Sequence, residues 1–327
     1  MRYSLLALLL LLAAFVAWPM AALAAKPIVV ETRPVPLNPE DREQVRVGAL
    51  RYLGGLRLKS DDPGFGGLSG LMATPSGLMI AVSDRGRWLT FRTIENAQGR
   101  LTGVTDAAMT PLLDPVGDPV TGALADAEAV EADPSGEILV SFERRHRIWR
   151  YDVRDDLALA RPSALDLPAA VAQAPRNGGL EAIAPLGQGE LLIVTEDLAA
   201  ADGGHAAWLM RFGGATRLSL RRAGRFKPTD LSRLPNGDLL LLERSFTRLL
   251  GPAARISRIP RGALEAGGEV VPQQLAILSL PLSVDNSEGL ATVPAPGGGQ
   301  WIYVLSDDNF NHMLQRTLLL KFLWPDG

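Results

Sequence analysis

The 327-residue chain contains no cysteine. Disulfides, thiolate metal centres and a cysteine nucleophile are therefore excluded, and stability has to come from packing or from bound ions. Histidine is scarce as well. His146, His205 and His312 are too scattered to form an imidazole metal site, although His146 stands close enough to Glu143 to be a candidate general base. The charge excess is only −3, with a pI near 5.7, so no basic field of the kind that carries nucleic-acid binding is present. Also missing is the G-x-S-x-G elbow of a serine hydrolase; GLSGL around Ser69 does not supply it. After the first 25 residues no apolar run is long enough to cross a bilayer.

Those first residues hold Arg2, an apolar run from Leu5 to Val16, and Ala22 to Ala24. This is the pattern of a signal peptide over residues 1–25, cleaved near Ala24 or Ala25, which predicts a soluble periplasmic or secreted protein without a membrane anchor. Residues 26–44 carry four prolines and mixed charge, and are expected to be a flexible or edge-hugging leader. Nothing suggests a coiled coil, so a monomer is the default.

One pattern recurs through the rest. GLSGLMATPSGLMIAVSDRG (67–86), DAEAVEADPSGEILVSFERR (126–145), GLEAIAPLGQGELLIVTED (179–197), TDLSRLPNGDLLLLERSF (229–246) and SEGLATVPAPGGGQWIYVLSDDNF (287–310) each open on a small or acidic residue. A short apolar stretch follows, then a Gly-rich turn and an apolar strand ending in a carboxylate. Each copy reads as a β-hairpin. The opening residues Ser69, Glu128, Glu181, Asp230 and Glu288 lie 59, 53, 49 and 58 residues apart, which is blade spacing for an all-β propeller. Val45 to Leu58 and Arg316 to Phe322 read as strands able to complete one more blade. The expectation is therefore six blades in one domain over residues 45–327, closed by pairing of N- and C-terminal strands. The stretch Val153 to Ala174 has room for a short helix.

A hairpin returns to the side from which it started, so both ends of each repeat reach one mouth of the channel. Glu128, Glu181, Asp230 and Glu288 form one acidic series, with Ser69 in the matching place; Asp84, Glu143, Glu196, Glu243 and Asp307 form a second. Like charges crowded together call for a compensating cation. Carboxylates helped by amide oxygens from Asn177, Asn286 and Asn309 suit a hard ion, so the first series is the expected Ca2+ site. Arg85, Arg144 and Arg244 directly follow acids of the second series. They either neutralise their neighbours or bind a phosphate or carboxylate substrate. Asp307 and Glu196, with His146, are the candidate proton acceptors. The competing reading is an acidic ring that locks the blades through backbone N–H groups, in a propeller that binds a ligand or protein without catalysis.

The motifs FGGLSGL, VSDRGRW, DAEAV with FERRHRIWRY, NGGLEAIA, PTDLSRLPNGDLLLLERSF, DNSEGLA and SDDNF followed by RTLLLKF resemble the phytase-like family, often labelled esterase-like activity of phytase. The resemblance extends from Val45 to Phe322. It implies a secreted propeller and calcium-dependent hydrolysis of phosphate esters, with a small anionic or ester substrate. The dense catalytic motifs of the β-propeller phytases, which use several calcium ions to hold phosphate and activate water, have no convincing copy here, so phytate itself is not the expected substrate. A calcium-dependent lactonase or esterase with a histidine base is a third reading.

Overall fold

The computed structural model describes residues 25–74, 76–153 and 156–327. The expected signal peptide falls outside them but for its last residue. The second strand of every repeat is built around an apolar run: Leu78–Ser83, Ile138–Phe142, Glu190–Ala199, Leu239–Thr247 and Gln300–Asp307. Such runs suit strands covered on both faces, which is where a propeller places the middle of each sheet. The turns before them obey their own chemistry. In PSGL, PSGE and PNGD the glycines Gly77, Gly136 and Gly237 adopt φ of 79°, 94° and 86°, a region that only glycine enters freely.

Among the described residues the strands form five sheets, not six. Blade 1 starts at the axis with Leu68–Ala73 and ends outside at Leu101–Pro111, with Lys26–Pro27 paired to its edge. Blade 2 runs from Ala127–Ala132 to Pro162–Ala164, blade 3 from Leu180–Gly187 to Gly214–Leu220, and blade 4 from Lys227–Arg233 to Gln273–Ser279. Blade 3 also gains a parallel edge strand, Gly268–Val270. Blade 5 takes Asn286–Pro294, Gln300–Asp307 and Thr317–Trp324, then Leu50–Lys59 and Glu31–Val35. Thr317–Trp324 pairs antiparallel with Leu50–Lys59, so the two ends of the chain close the ring. The end segments read as material for a sixth blade are thus the outer half of the fifth. The long spacing between repeats is absorbed by extra edge strands and loops, among them two 3-10 turns, Leu157–Leu159 and Ala169–Gln173, in place of the short helix. Residues 26–44 hug the edges of blades 1 and 5. Among the described residues no helix is long and apolar enough to cross a membrane.

The core divides into five apolar clusters, one at each contact between neighbouring blades, such as Leu240, Ile256, Ile302 and Phe322 between blades 4 and 5. Around the axis the inner strands press closely. A Cβ added at Gly70 would lie 2.5 Å from the Val130 nitrogen of blade 2, and one at Gly289 would lie 3.0 Å from the Ser69 carbonyl oxygen of blade 1. The glycines of GLSGL and SEGLA are what five blades need in order to meet.

Candidate functional site

In every blade the pairing of the inner strand with the next is interrupted near its start. The unpaired residues are Ser69 and Gly70, Glu128 and Ala129, Glu181, Thr229, and Glu288. A bulge of this kind re-aims a side chain out of the regular alternation. Here it sends Glu128, Glu181 and Glu288 into a cavity of about 550 Å³ at one mouth of the channel. The ends of the second strands add Asp84, Glu143, Glu196, Arg244 and Asp307. With Asp126 and Asp197, nine carboxylates among the described residues line the cavity against four cations, Arg144, Arg225, Lys227 and Arg244.

Two of the expected acids are elsewhere, both in blade 4. Asp230 is fully buried and accepts the backbone N–H groups of Leu290 at 2.7 Å, Leu231 at 2.9 Å and Leu71 at 3.3 Å. Glu243 is buried against Arg255, with 2.5 Å between Oε2 and Nη1. Pro228 pairs with Glu243, and the bulged residue after Pro228 is Thr229, so the repeat in this blade is displaced by one position. A slip of one residue turns every side chain of a strand to its opposite face. The positions matching Glu181 and Glu196 are therefore Thr229 and Arg244.

The remaining acids differ in how far they are committed. Glu143 accepts from the N–H groups of Gly178 and Gly179, and Asp307 accepts from Leu68 at 2.8 Å, each tying its blade to the next. Asp126 pairs with Arg144 at 2.7 Å. Glu196 lies 3.3 Å from Arg244 and 3.5 Å from Lys227, and Glu288 lies 3.1 Å from Arg244. Glu128 and Glu181 have no hydrogen-bond or ion-pair partner among the described residues. One oxygen each of Asp126, Glu128 and Glu143 fall within 4.8 Å of one another, a spacing that fits a single cation.

Burial dominates the titration of this ring. It pushes the Asp84 carboxyl up to about 6, Glu288 up to about 7 and Asp307 up to about 8, with neighbouring acids adding to the shift and Arg244 opposing it at Glu288. Glu128 and Glu181 are raised as well, first by desolvation and then by other carboxylates, Glu143 foremost at Glu128 and Glu128 foremost at Glu181. Arg244 is held further toward its charged form, mainly by Glu288. Arg144 takes a left-handed backbone, φ 53°, unusual for a side chain of its size, and its N–H donates to the Arg176 carbonyl at 3.1 Å.

Of the three candidate arginines, Arg144 and Arg244 line the cavity. Arg85 does not; it is exposed, and its guanidinium stacks 3.2 Å over the Phe310 ring. His146 is also outside, with Nε2 3.0 Å from the Pro175 carbonyl. His205 is buried, its Nδ1 2.6 Å from the Glu196 carbonyl, and burial lowers its pKa to about 4. His312 pairs with Asp308 at 2.8 Å beside a different hollow. Asn177 and Asn309 reach the cavity, whereas Asn286 bridges Arg244 and Glu288 from its edge.

Residues 63–310 match the family described as esterase-like activity of phytase. The chain belongs to this phytase-like family. No curated protein matches the sequence. Among solved structures, this phytase-like propeller is similar to an α-L-arabinofuranosidase from Podospora anserina, at 11% identity over 82% of this chain and 94% of that one, with a TM-score of 0.50. It is also similar to the PQQ domain of pyranose dehydrogenase from Coprinopsis cinerea, at 13% identity, 90% and 98% coverage and a TM-score of 0.40. The third is virginiamycin B lyase from Staphylococcus aureus, at 11% identity, 86% and 81% coverage and a TM-score of 0.37. At such identities the likeness concerns the fold alone.

Asp126 and Asp197 were not singled out from the sequence, and neither was the place of Arg244 in the second ring. A signal for the last was present. Ser69 and Asp84, Glu128 and Glu143, and Glu181 and Glu196 are each 15 residues apart, as are Thr229 and Arg244, whereas Asp230 and Glu243 are 13 apart.

Proposed function

We propose that this phytase-like protein is an exported, calcium-dependent hydrolase of phosphate or carboxyl esters, working at the acidic mouth. The observation that carries this reading is the Asp126, Glu128 and Glu143 cluster, with oxygens within 4.8 Å, beside the unpartnered Glu181 and the cations Arg144 and Arg244. An all-carboxylate set of donors fits Ca2+ better than a metal that prefers nitrogen or sulfur. Glu128, Asp126, Glu143 and Glu181 would hold the ion, which would supply positive charge for polarising an ester oxygen and lowering the pKa of a water.

The chain's own residues do the rest. Arg244 and Arg144 present N–H groups to the anionic part of the ester and to the charge that grows on it. Asp307, whose carboxyl burial pushes up to about 8 in the ion-free protein, is the lining acid that would exchange a proton with the leaving oxygen. Glu196 is tied to Arg244 and Lys227, which leaves it positioning those cations.

The test is a calcium titration of the chelator-stripped protein, followed by thermal melting. A ligand at a hundredfold its Kd stabilises by about 2.7 kcal/mol, roughly 5 °C for a domain of this size. The rise should vanish in Glu128→Gln, and hydrolysis of 4-nitrophenyl phosphate or acetate should appear with calcium and disappear with chelator. A melting point indifferent to calcium, with no ester turned over, leaves the ring as a blade lock in a binding propeller.

A further inference from the structure

Next to the acidic cavity a second hollow of about 780 Å³ opens between blades 4 and 5, and the two share Arg244, Ser245, Phe246, Glu288 and Asn309. The far wall of the second hollow is apolar. Phe246, Leu280 and Leu314 line it and are 70%, 57% and 81% exposed. Single exposed apolar side chains are ordinary, but several converging on one concave surface beside a charged site mark a binding feature. They come from three separate segments: the end of Leu239–Thr247, the link between blades 4 and 5, and the loop before Thr317–Trp324. A Cβ at Gly251 would stand 2.9 Å from Leu280, so the blade 4 hairpin leans against that link and forms one continuous wall with it.

The charged groups of this hollow are already paired. Arg316 lies 3.0 Å from Asp285, and Arg244 lies 3.1 Å from Glu288. Its two cations, Arg244 and Arg316, are offset by Asp285 and Glu288, so the lining offers a ligand bearing many phosphates no net positive field, whereas an alkyl or aryl group needs none. Arg244 uses three contacts of a guanidinium that carries five N–H donors, which leaves it able to engage one anionic head.

We propose that the hollow is the subsite for the apolar arm of the substrate, so that the preferred esters are amphiphilic monoesters whose anionic head meets Arg244 at the shared wall. This deepens the hydrolase reading and rests on it for the word substrate, while the binding itself is measurable without turnover.

The measurement is calorimetric titration of the protein with n-alkyl phosphates from methyl to octyl, with calcium and without it. Affinity should climb by roughly twofold per methylene, toward fourfold where burial is complete. Leu314→Ser and Leu280→Ser, both at exposed positions, should flatten that climb. Equal affinity along the series, or no binding of any member under either condition, overturns the proposal. So does a climb that both substitutions leave intact, or one unchanged while they abolish co-sedimentation with phosphatidylglycerol vesicles, which would make the wall a bilayer contact. A climb in a protein that turns over no ester keeps the subsite and removes the hydrolase; turnover of short esters with no climb does the reverse.

Discussion

Asp230 and Glu181 stand one position apart in the repeat, yet one is a structural acceptor and the other faces the cavity. Three backbone N–H groups, from blades 1, 4 and 5, converge on Asp230 deep inside the ring. Removing the carboxylate leaves those donors buried without an acceptor, at about 1–3 kcal/mol each before any relaxation. Asp230→Ala should therefore lose about 3 kcal/mol or more in urea denaturation, while Asp230→Asn, which keeps an oxygen, loses less. The calcium response should survive in both, because Asp230 does not line the mouth. A loss below about 1 kcal/mol in the alanine variant would remove its role as a lock. Glu243 with Arg255 repeats the logic one strand away, as a buried pair whose partners hold each other.

At the scale of elements, the tightest constraint is the approach of inner strands. Gly70→Ala would put a methyl 2.5 Å from the Val130 nitrogen and 2.7 Å from the Ala129 Cα, backbone atoms that cannot swing aside. The inner strands of blades 1 and 2 must then part, an overpacking cost of about 1–3 kcal/mol. Gly214→Ala in blade 3 meets nothing within 4 Å and should stay within about 0.5 kcal/mol, so unfolding the two variants side by side separates close approach from glycine flexibility. The same elements show what was legible in the sequence. Five hairpins, their Gly turns and the closure by end strands follow from apolar runs and spacing, which are local properties. The blade count does not, because Leu50–Lys59 carries the same pattern whether it starts a sixth sheet or finishes the fifth. The aim of the mouth acids depends on bulges, and a bulge leaves almost no mark in composition. Only the interval between the paired positions betrayed the displacement in blade 4, and Asp126 stands at the first position of its repeat, where Gly67 and Gly179 stand in blades 1 and 3, so the repeat itself marks no acid there.

For the whole molecule, the acidic ring makes stability a function of proton and cation supply together. Asp84, Glu288 and Asp307 sit at about 6, 7 and 8, against about 4 for such groups in an unfolded chain. Between those limits the folded protein binds more protons than the unfolded one, and stability then falls as pH rises. The contribution of these three groups is complete below about pH 4 and is lost on the way to about pH 8. Asp62, Asp238 and Glu190 act in the opposite sense, since their pKa values are lowered; their contribution is present above the ordinary carboxylate range and fades only in acid. The chelator-stripped protein should therefore melt highest near pH 5 and lower at pH 8, with a separate decline in strong acid. Calcium competes with the protons of the ring, so its stabilising effect should grow from pH 5 to pH 8 and recover most of what the rise in pH removed. Melting curves across that range, with calcium and without, test both halves at once. A stripped protein whose melting point is flat from pH 5 to pH 8 would mean that Arg144, Lys227 and Arg244 already neutralise the ring, and the case for a resident cation would lose its electrostatic basis.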